Sequence, residues 1–224
     1  MIRLDRHIGR AILETAIERD ANLMLLGWPG HTDSPHNAFG SVIDLVAENP
    51  PCDLAVVRFR KRKEPRRILV PTSGGANTQL AIGLAIDQAR SYAARTGETP
   101  VVTLMYVCRS AGTGPECEAI GYELLRNLAS DYRYPLEIRV VPSDDIVDAI
   151  VSESAKHDLV VIGATAQRLF EQVLFGTIPE RVAHRAPVTV MMVKGYKGPV
   201  RSWIRRNFSW LFSRFEHARA RKVD

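Results

Sequence analysis

Between Ala21 and Arg58 every position of the chain aligns, without a gap, with a position 136 residues later. Identical pairs in that register include Leu23/Leu159, Gly27/Gly163, Phe39/Phe175, Gly40/Gly176, Val46/Val182, Ala47/Ala183, Pro51/Pro187 and Val57/Val193. Each stretch carries a glycine pattern. The first reads Gly27-Trp28-Pro29-Gly30, nine residues, then Gly40-Ser41. The second reads Gly163-Ala164-Thr165-Ala166, nine residues, then Gly176-Thr177. A repeat at fixed spacing predicts two copies of one structural unit, so the 224 residues are expected to hold two small domains rather than one large one.

The downstream copy reads as a complete alternating α/β unit. Short apolar strands are expected at Arg67–Val70, Val101–Val107, Leu136–Val141, Leu159–Ile162 and Val188–Val193. Helical spacing separates them: Leu80 to Ala89, Glu116 to Ala129, Asp144 to Ala155 with Ser143 or Asp144 as N-cap, and a helix from Gly176. Such strands predict an open parallel five-stranded sheet with helices on both faces. The upstream copy offers only a helix (Ile8 to Arg19), a strand (Leu23 to Leu26), a helix from Ser41 and a strand (Leu54 to Phe59). It lacks counterparts of the first three strands, which would leave an open edge. Either a partner supplies them, or the chain is the downstream part of a longer polypeptide, the expectation favoured here. The domain reading is therefore an incomplete first unit at 1–60, a basic linker at 61–67, a complete second unit at 68–195 and a basic tail at 196–224. The polar run Arg58 to Arg67 joins the units.

Charge sharpens that division. From Tyr196 onward eight Lys and Arg face two acids, a balance of +6, so the rest of this +5 chain carries −1. The basic character belongs to the tail. No window approaches 18 uninterrupted apolar residues, and the charged start MIRLDRHIGR is no signal peptide. Cys52, Cys108 and Cys117 have no metal-ligand spacing, and their plain reading is reduced thiols in the cytoplasm.

In an open parallel sheet, ligands sit beyond the carboxyl ends of the strands. Gly163 ends the fourth strand of the complete unit, where glycine lets backbone amides approach a phosphate. Gly176-Thr177 opens a helix whose first N–H groups lack partners and favour an anion. The loop Pro71-Thr72-Ser73-Gly74-Gly75 lies on the same sheet edge. Two loops bracketing one crevice suit a nucleotide, with its base toward the first two strands and its phosphates toward the fourth.

These residues resemble the universal stress protein family across both copies, hence most of residues 8–194, excluding the tail. Nucleotide-binding members carry Gly, two residues, Gly, nine residues, then Gly and Ser or Thr. Gly27, Gly30, Gly40 and Ser41 match in full; at Gly163, Thr165, Gly176 and Thr177 the pattern recurs with Ala166 in place of its middle glycine. The family's first strand ends in V-P-T-D, and here Val70-Pro71-Thr72-Ser73 lacks the acid. The resemblance implies an adenine-nucleotide-hydrolase-like fold, duplicated with an incomplete first copy. It also implies ATP or AMP as ligand and backbone groups at Val107 facing adenine. The last strands, Leu54–Phe59 and Val188–Val193, are expected to meet antiparallel in an intramolecular pseudo-dimer or a homo-oligomer.

Two rival functions come from the same residues. Ser73-Gly74-Gly75-Ala76-Asn77-Thr78 resembles the S-G-G-x-D-S loop of ATP pyrophosphatases, with Asn77 in place of the acid. Alternatively Gly163 and Gly176 are ordinary strand-end and helix-start residues of an interaction scaffold that binds no nucleotide. Catalysis is not expected: His157 and His184 read as surface residues, Asp144 and Asp145 as helix-start charges, and no residue has the setting of an activated nucleophile. His31 and His36 flank Asp33 in the first glycine loop, where a solvated polar loop is the plainer reading, so no metal is expected.

After Pro199, residues Trp203, Ile204, Phe208, Leu211, Phe212 and Phe215 recur at helical spacing, with arginines largely elsewhere. A helix over 199–222 of that kind suits an anionic membrane surface, a transporter partner or the chain's own domain. One aromatic stripe is a poor platform for nucleic acid. A tandem stress-protein pair with such a tail resembles the cytosolic regulatory end of amino-acid permeases and cation antiporters. The expectation is a cytoplasmic stress and transporter-regulating module at the inner face of the membrane.

Overall fold

The computed structural model describes residues 7–31, 39–60, 64–109, 114–165 and 175–196. The expected tail helix over 199–222 and Ala166 lie outside them. Thirteen elements follow in order. The first four are α1 (Ile8–Glu18), β1 (Leu23–Trp28), α2 (Ser41–Glu48) and β2 (Asp53–Arg58). Next come β3 (Arg67–Pro71), α3 (Thr78–Thr96), β4 (Val101–Cys108), α4 (Gly114–Ser130) and β5 (Leu136–Pro142). The last four are α5 (Ile146–Ser154), β6 (Leu159–Gly163), α6 (Thr177–Arg185) and β7 (Thr189–Lys194).

The strands make one mixed sheet of seven in the order β1-β2-β7-β6-β3-β4-β5. Every neighbouring pair is parallel except β2 and β7, which run antiparallel. Their register is reciprocal about the 136-residue offset. Val56 faces Met192, while Leu54 faces Lys194 and Arg58 faces Val190. Each of these strands thus presents the same positions to the other, as in a two-fold interface.

Alternation along the strands sends side chains into two cores. Leu54 and Val56 point to the face covered by α1, α2, α5 and α6, together with Val160, Val182, Val190 and Met192. Ala55 and Val57 point to the other face, with Val161 and Val193, under α3 and α4. Within α3 the residues Leu80, Ala81, Ala85 and Ala89 form the buried stripe. The helix ends on Gly97, whose left-handed φ of 77° lets its N–H close on the Ala93 carbonyl.

Ion pairs and caps finish the frame. Arg58, which the sequence places both in the strand Leu54 to Phe59 and at the head of the polar run, ends β2 and is only 8% exposed. Its guanidinium donates to the carbonyls of Ala183 and His184 at the carboxyl end of α6. Lys194, its counterpart in β7, donates to the carbonyl of Ala47 in α2. Two cations therefore cross the seam to opposite helix ends, where unpaired carbonyls and the helix dipole favour positive charge. The N-cap of α5 is Asp145 rather than Ser143 or Asp144; its carboxylate accepts from the amides of Val147 and Asp148.

Two further expectations are corrected. Cys108 and Cys117 form a disulfide, because the end of β4 and the first turn of α4 bring their Cα atoms within 5.8 Å. Cys52 remains a buried thiol. His157 is not a surface residue but 4% exposed, with Nδ1 3.0 Å from the Glu153 carbonyl and Nε2 3.5 Å from Thr103 Oγ1. The buried Glu153 carboxylate is paired with Arg139 at 3.3 Å and Lys156 at 2.9 Å. A charge so placed needs such partners.

Removing the Arg58 donor while keeping its bulk isolates the seam contact. Arg58→Met is expected to lower unfolding free energy by about 1.5–3 kcal/mol in urea titrations, the range for charge-assisted hydrogen bonds. Burial holds His157 below its ordinary 6.5, and the Glu153 carbonyl and carboxylate only partly oppose that. The unfolded chain therefore takes up its proton first, near 6.5, and stability falls as pH drops from there toward the folded value. His157→Gln should reduce the stability difference measured between about pH 7 and about pH 5. His184, held down by burial and by Arg58 and Arg60, contributes with the same sign.

Candidate functional site

Because β3, β4 and β6 are mutually parallel through the sheet, their carboxyl ends open on one rim. Pro71 closes β3 and is buried. Thr72 continues the sheet for one more bond, its amide donating to the Met105 carbonyl at 2.8 Å. The Thr72 hydroxyl lies 2.7 Å from that of Thr78 and accepts from the Gly74 amide at 3.1 Å, folding the loop back on itself. Ser73 and Gly74 are exposed. Gly74 adopts φ 80°, and an added Cβ would stand 3.1 Å from Leu124 of α4. Val107 is half-buried and packs on the core face that α5 covers.

Gly163 and Gly176 sit on the same rim, and protein atoms fill the space beside each. A Cβ at Gly163 would stand 3.0 Å from Asn77 Cβ and 3.1 Å from the Asn77 carbonyl oxygen. A Cβ at Gly176, where φ is 103°, would overlap the Thr165 hydroxyl. Thr165 is anchored there by its amide, which donates to the Phe175 carbonyl at 2.8 Å. Asn77 is the residue that ties the rim together. Its Nδ2 donates to the Ala164 carbonyl at 2.6 Å, and its Oδ1 accepts from the Gly195 amide at 2.8 Å. At both glycines the chain itself approaches closely, so neither position has room for a Cβ.

What remains open on this rim is a set of neutral donors. Ser73, Thr165 and Thr177 are exposed, and Thr177 occupies the first position of α6. Glu180 reaches back from that helix to accept the Phe175 amide at 3.0 Å. Hydroxyls beside a helix start can hold an anion.

The earlier glycines lie elsewhere. Since β2 and β7 are antiparallel, the carboxyl ends of β1 and β2 point to the opposite end of the sheet. Gly27, Gly30, Gly40 and Ser41 are therefore not brought together with Gly163, Thr165, Gly176 and Thr177. Locally the two loops match: Gly40 has φ 105° and ψ 151°, Gly176 has φ 103° and ψ 151°. The Phe39 amide donates to Asp44 at 2.9 Å, as that of Phe175 does to Glu180. Their surroundings differ. Among the described residues nothing stands within 4 Å of a Cβ built on Gly27. At Gly30, φ 90°, a Cβ would collide with the Arg58 guanidinium. That guanidinium also lies 5.4 Å from the ring centre of Trp28, which packs edge-on to Phe39 and His184.

Sequence reasoning missed one polar cluster entirely. At the amino ends of β3, β4 and β5, a cavity of about 80 Å³ is lined by Arg67, Thr103, Glu137, Arg139, Glu153 and His157. Glu137 accepts from Thr103 at 3.3 Å, extending the chain of contacts from His157. The available signal was Glu153 on the apolar stripe of α5, next to Val147, Ala149 and Ile150. Asn77 left a similar signal as a polar residue directly ahead of a helix.

The chain is related to known proteins over most of its length. It is 30% identical to a Na(+)/H(+) antiporter of Synechocystis sp. over 190 residues, which is 81% of this chain and 26% of the antiporter. It is 24% identical to a universal stress protein of Mycobacterium tuberculosis over 187 residues, 80% of this chain and 63% of that protein. The chain thus spans a quarter to two thirds of these relatives' length. Among solved structures, a universal stress protein from Archaeoglobus fulgidus superposes with a TM-score of 0.57 at 16% identity, over 84% of this chain and 66% of that one. A putative universal stress protein from Pseudomonas aeruginosa gives 0.57 at 17%, over 86% and 69%. The model of the universal stress protein family matches residues 1–58 and 64–194. By that match, covering both ends of the seven-stranded sheet, the chain belongs to the universal stress protein family.

Proposed function

We propose that this chain is an adenine-nucleotide-binding regulatory module that takes ATP or AMP at the rim formed by Pro71–Gly74, Gly163–Thr165 and Gly176–Thr177. The observation that carries the reading is the exposed trio Ser73, Thr165 and Thr177 on the rim where α6 begins. First-turn amides lack partners within a helix, and together with hydroxyls they suit a phosphate. Thr165, Gly176 and Thr177 would hold the phosphates, while Pro71, Thr72 and the end of β4 at Val107 would flank the base and ribose. The reading assigns binding and no turnover. Asn77, where the pyrophosphatase-like loop needs an acid, has both amide atoms engaged by Ala164 and Gly195.

The proposal includes the organisation read from sequence: tandem units at 1–60 and 68–195, a linker at 61–67 and a tail from 196. Support comes from the matching backbone at Gly40 and Gly176 and from the reciprocal register of β2 and β7. It further includes attachment to, or regulation of, a membrane transporter from the cytoplasmic side, which the likeness to an antiporter supports. No helix among the described residues is long and apolar enough to cross a membrane. The 199–222 segment is the proposed contact with an anionic surface.

One observation favours a second reading, a scaffold without nucleotide: the spaces beside Gly163 and Gly176 are occupied by Asn77 and Thr165. Thr177→Asp separates the two. An acid in the first turn suits the helix dipole, so melting temperature should hold or rise, yet it repels phosphate. Equilibrium titration with labelled ATP is expected to show affinity weakened about tenfold or more, about 1.4 kcal/mol. Unchanged affinity would place the nucleotide elsewhere, and an unmutated chain that binds none would favour the scaffold.

A further inference from the structure

The outer side of β1 is unlike the corresponding side of its counterpart. β6 lies inside the sheet, paired on that side with β3 through Ile68 opposite Leu159 and Leu69 opposite Val160. β1, at the matching position 136 residues earlier, is the edge of the sheet. Val161 is fully buried under the core that α3 covers, whereas the matching Leu25 is 61% exposed. Gly163 is closed by Asn77, from the loop that leads into α3; among the described residues the matching Gly27 has nothing within 4 Å of an added Cβ. Three positions on one edge are thus open where their counterparts are met by a strand, a helix and a loop.

The two edges of the sheet also differ in protection. β5, at the far edge, carries Glu137, Arg139 and a terminal Pro142, features that discourage further pairing. β1 reads Leu-Met-Leu-Leu-Gly-Trp, with no charge and no proline. An unprotected apolar edge is a template for another strand.

We propose that this edge is a docking site for a β–α unit from polypeptide outside these 224 residues: an apolar strand parallel to β1, a loop seated on Gly27 and an amphipathic helix over Leu25. The unit has the build of Arg67–Thr96, which meets the same three features at β6. A second copy of this chain does not fit. Its own β3 already lies between β6 and β4, and edge-to-edge pairing of two β1 strands would leave Leu25 without a helix and Gly27 without a loop.

The test fuses a second copy of residues 66–135, which hold β3, α3, β4 and α4, ahead of Met1 in the full chain. Amide exchange across Leu23–Gly27 and alkylation of a Leu25→Cys variant are compared with the unfused chain. Docking is expected to slow both by about tenfold or more, and Leu25→Lys in the fusion should restore fast exchange. A fusion that fails to fold shows itself as lost protection in β2 and β7, and the segment is then co-expressed as a separate polypeptide. Unchanged exchange of β1 in both arrangements overturns the proposal. So does a dimer of the unfused chain, seen by light scattering, that Leu25→Lys dissolves, which would make the occupant a second copy. Faster alkylation of Leu25→Cys after deletion of 199–224 likewise overturns it, by making the tail the occupant. None of these readouts uses nucleotide.

Discussion

The antiparallel seam between β2 and β7 is the contact on which the remaining architecture rests. Leu54, Ala55, Val56, Val190, Met192 and Val193 are fully buried along it. Fully burying one Val, Leu or Met side chain stabilises by about 1.5–3 kcal/mol. Each cation that crosses to a helix end contributes at most a similar amount. Apolar burial therefore supplies most of the seam's stability, while Arg58 and Lys194 fix its alignment. A slip of one residue would turn every seam side chain to the wrong core and carry both cations away from their carbonyls. The T-shaped contact of Phe39 with its counterpart Phe175, ring centres 5.5 Å apart, lies on the same axis and adds a third reciprocal constraint.

That seam also decides where chemistry can occur. One antiparallel pair in an otherwise parallel sheet sends the two glycine loops to opposite ends, so they form two rims rather than one enlarged pocket. The rim at β3 and β6 is complete, since Asn77 and Thr165 bring loop and helix start together. At the other rim Arg58 stands against Gly30, and among the described residues no loop meets Gly27. A cation near the first loop would favour an anion, but this one already donates to two carbonyls of α6 and is 8% exposed.

Much of the fold was legible in the residues because it depends on periodicity. Strands of Val, Ile and Leu, helices at 3.6-residue spacing and the ungapped 136-residue offset each encode a regular structure. Most elements begin and end within a few residues of where those patterns place them, and the largest extension is α3, which runs on from Ala89 to Thr96 before Gly97 stops it. What sequence concealed is non-local. Arg58 looks like a charge at the end of a strand until α6 is set beside it and its guanidinium meets the Ala183 and His184 carbonyls. His157 looks like a helix-end residue until β4 brings Thr103 across its ring. The glycines at 163 and 176 illustrate the limit most sharply: their spacing signals a phosphate loop, yet the atoms beside them are a threonine hydroxyl and an asparagine side chain.

The unequal covering of the two faces explains how the upstream half holds its shape with only two strands. On one face α1 and α2 continue the layer begun by α5 and α6, so Met24, Trp28, Ile43 and Val46 join a core that runs unbroken across the seam. On the other face the layer consists of α3 and α4, which belong to the downstream half and centre on β3, β4 and β6. Beyond β2 that layer thins: Leu23 packs at its margin, and Leu25 is left in solvent. The upstream half is thus packed on both faces at β2, where Ala55 and Val57 enter the second core, and mainly on one face at β1. Its edge strand draws stability from β2 on one side and from Met24 and Trp28 beneath. Local opening should therefore begin at β1, where one row of backbone groups and one apolar face already meet water.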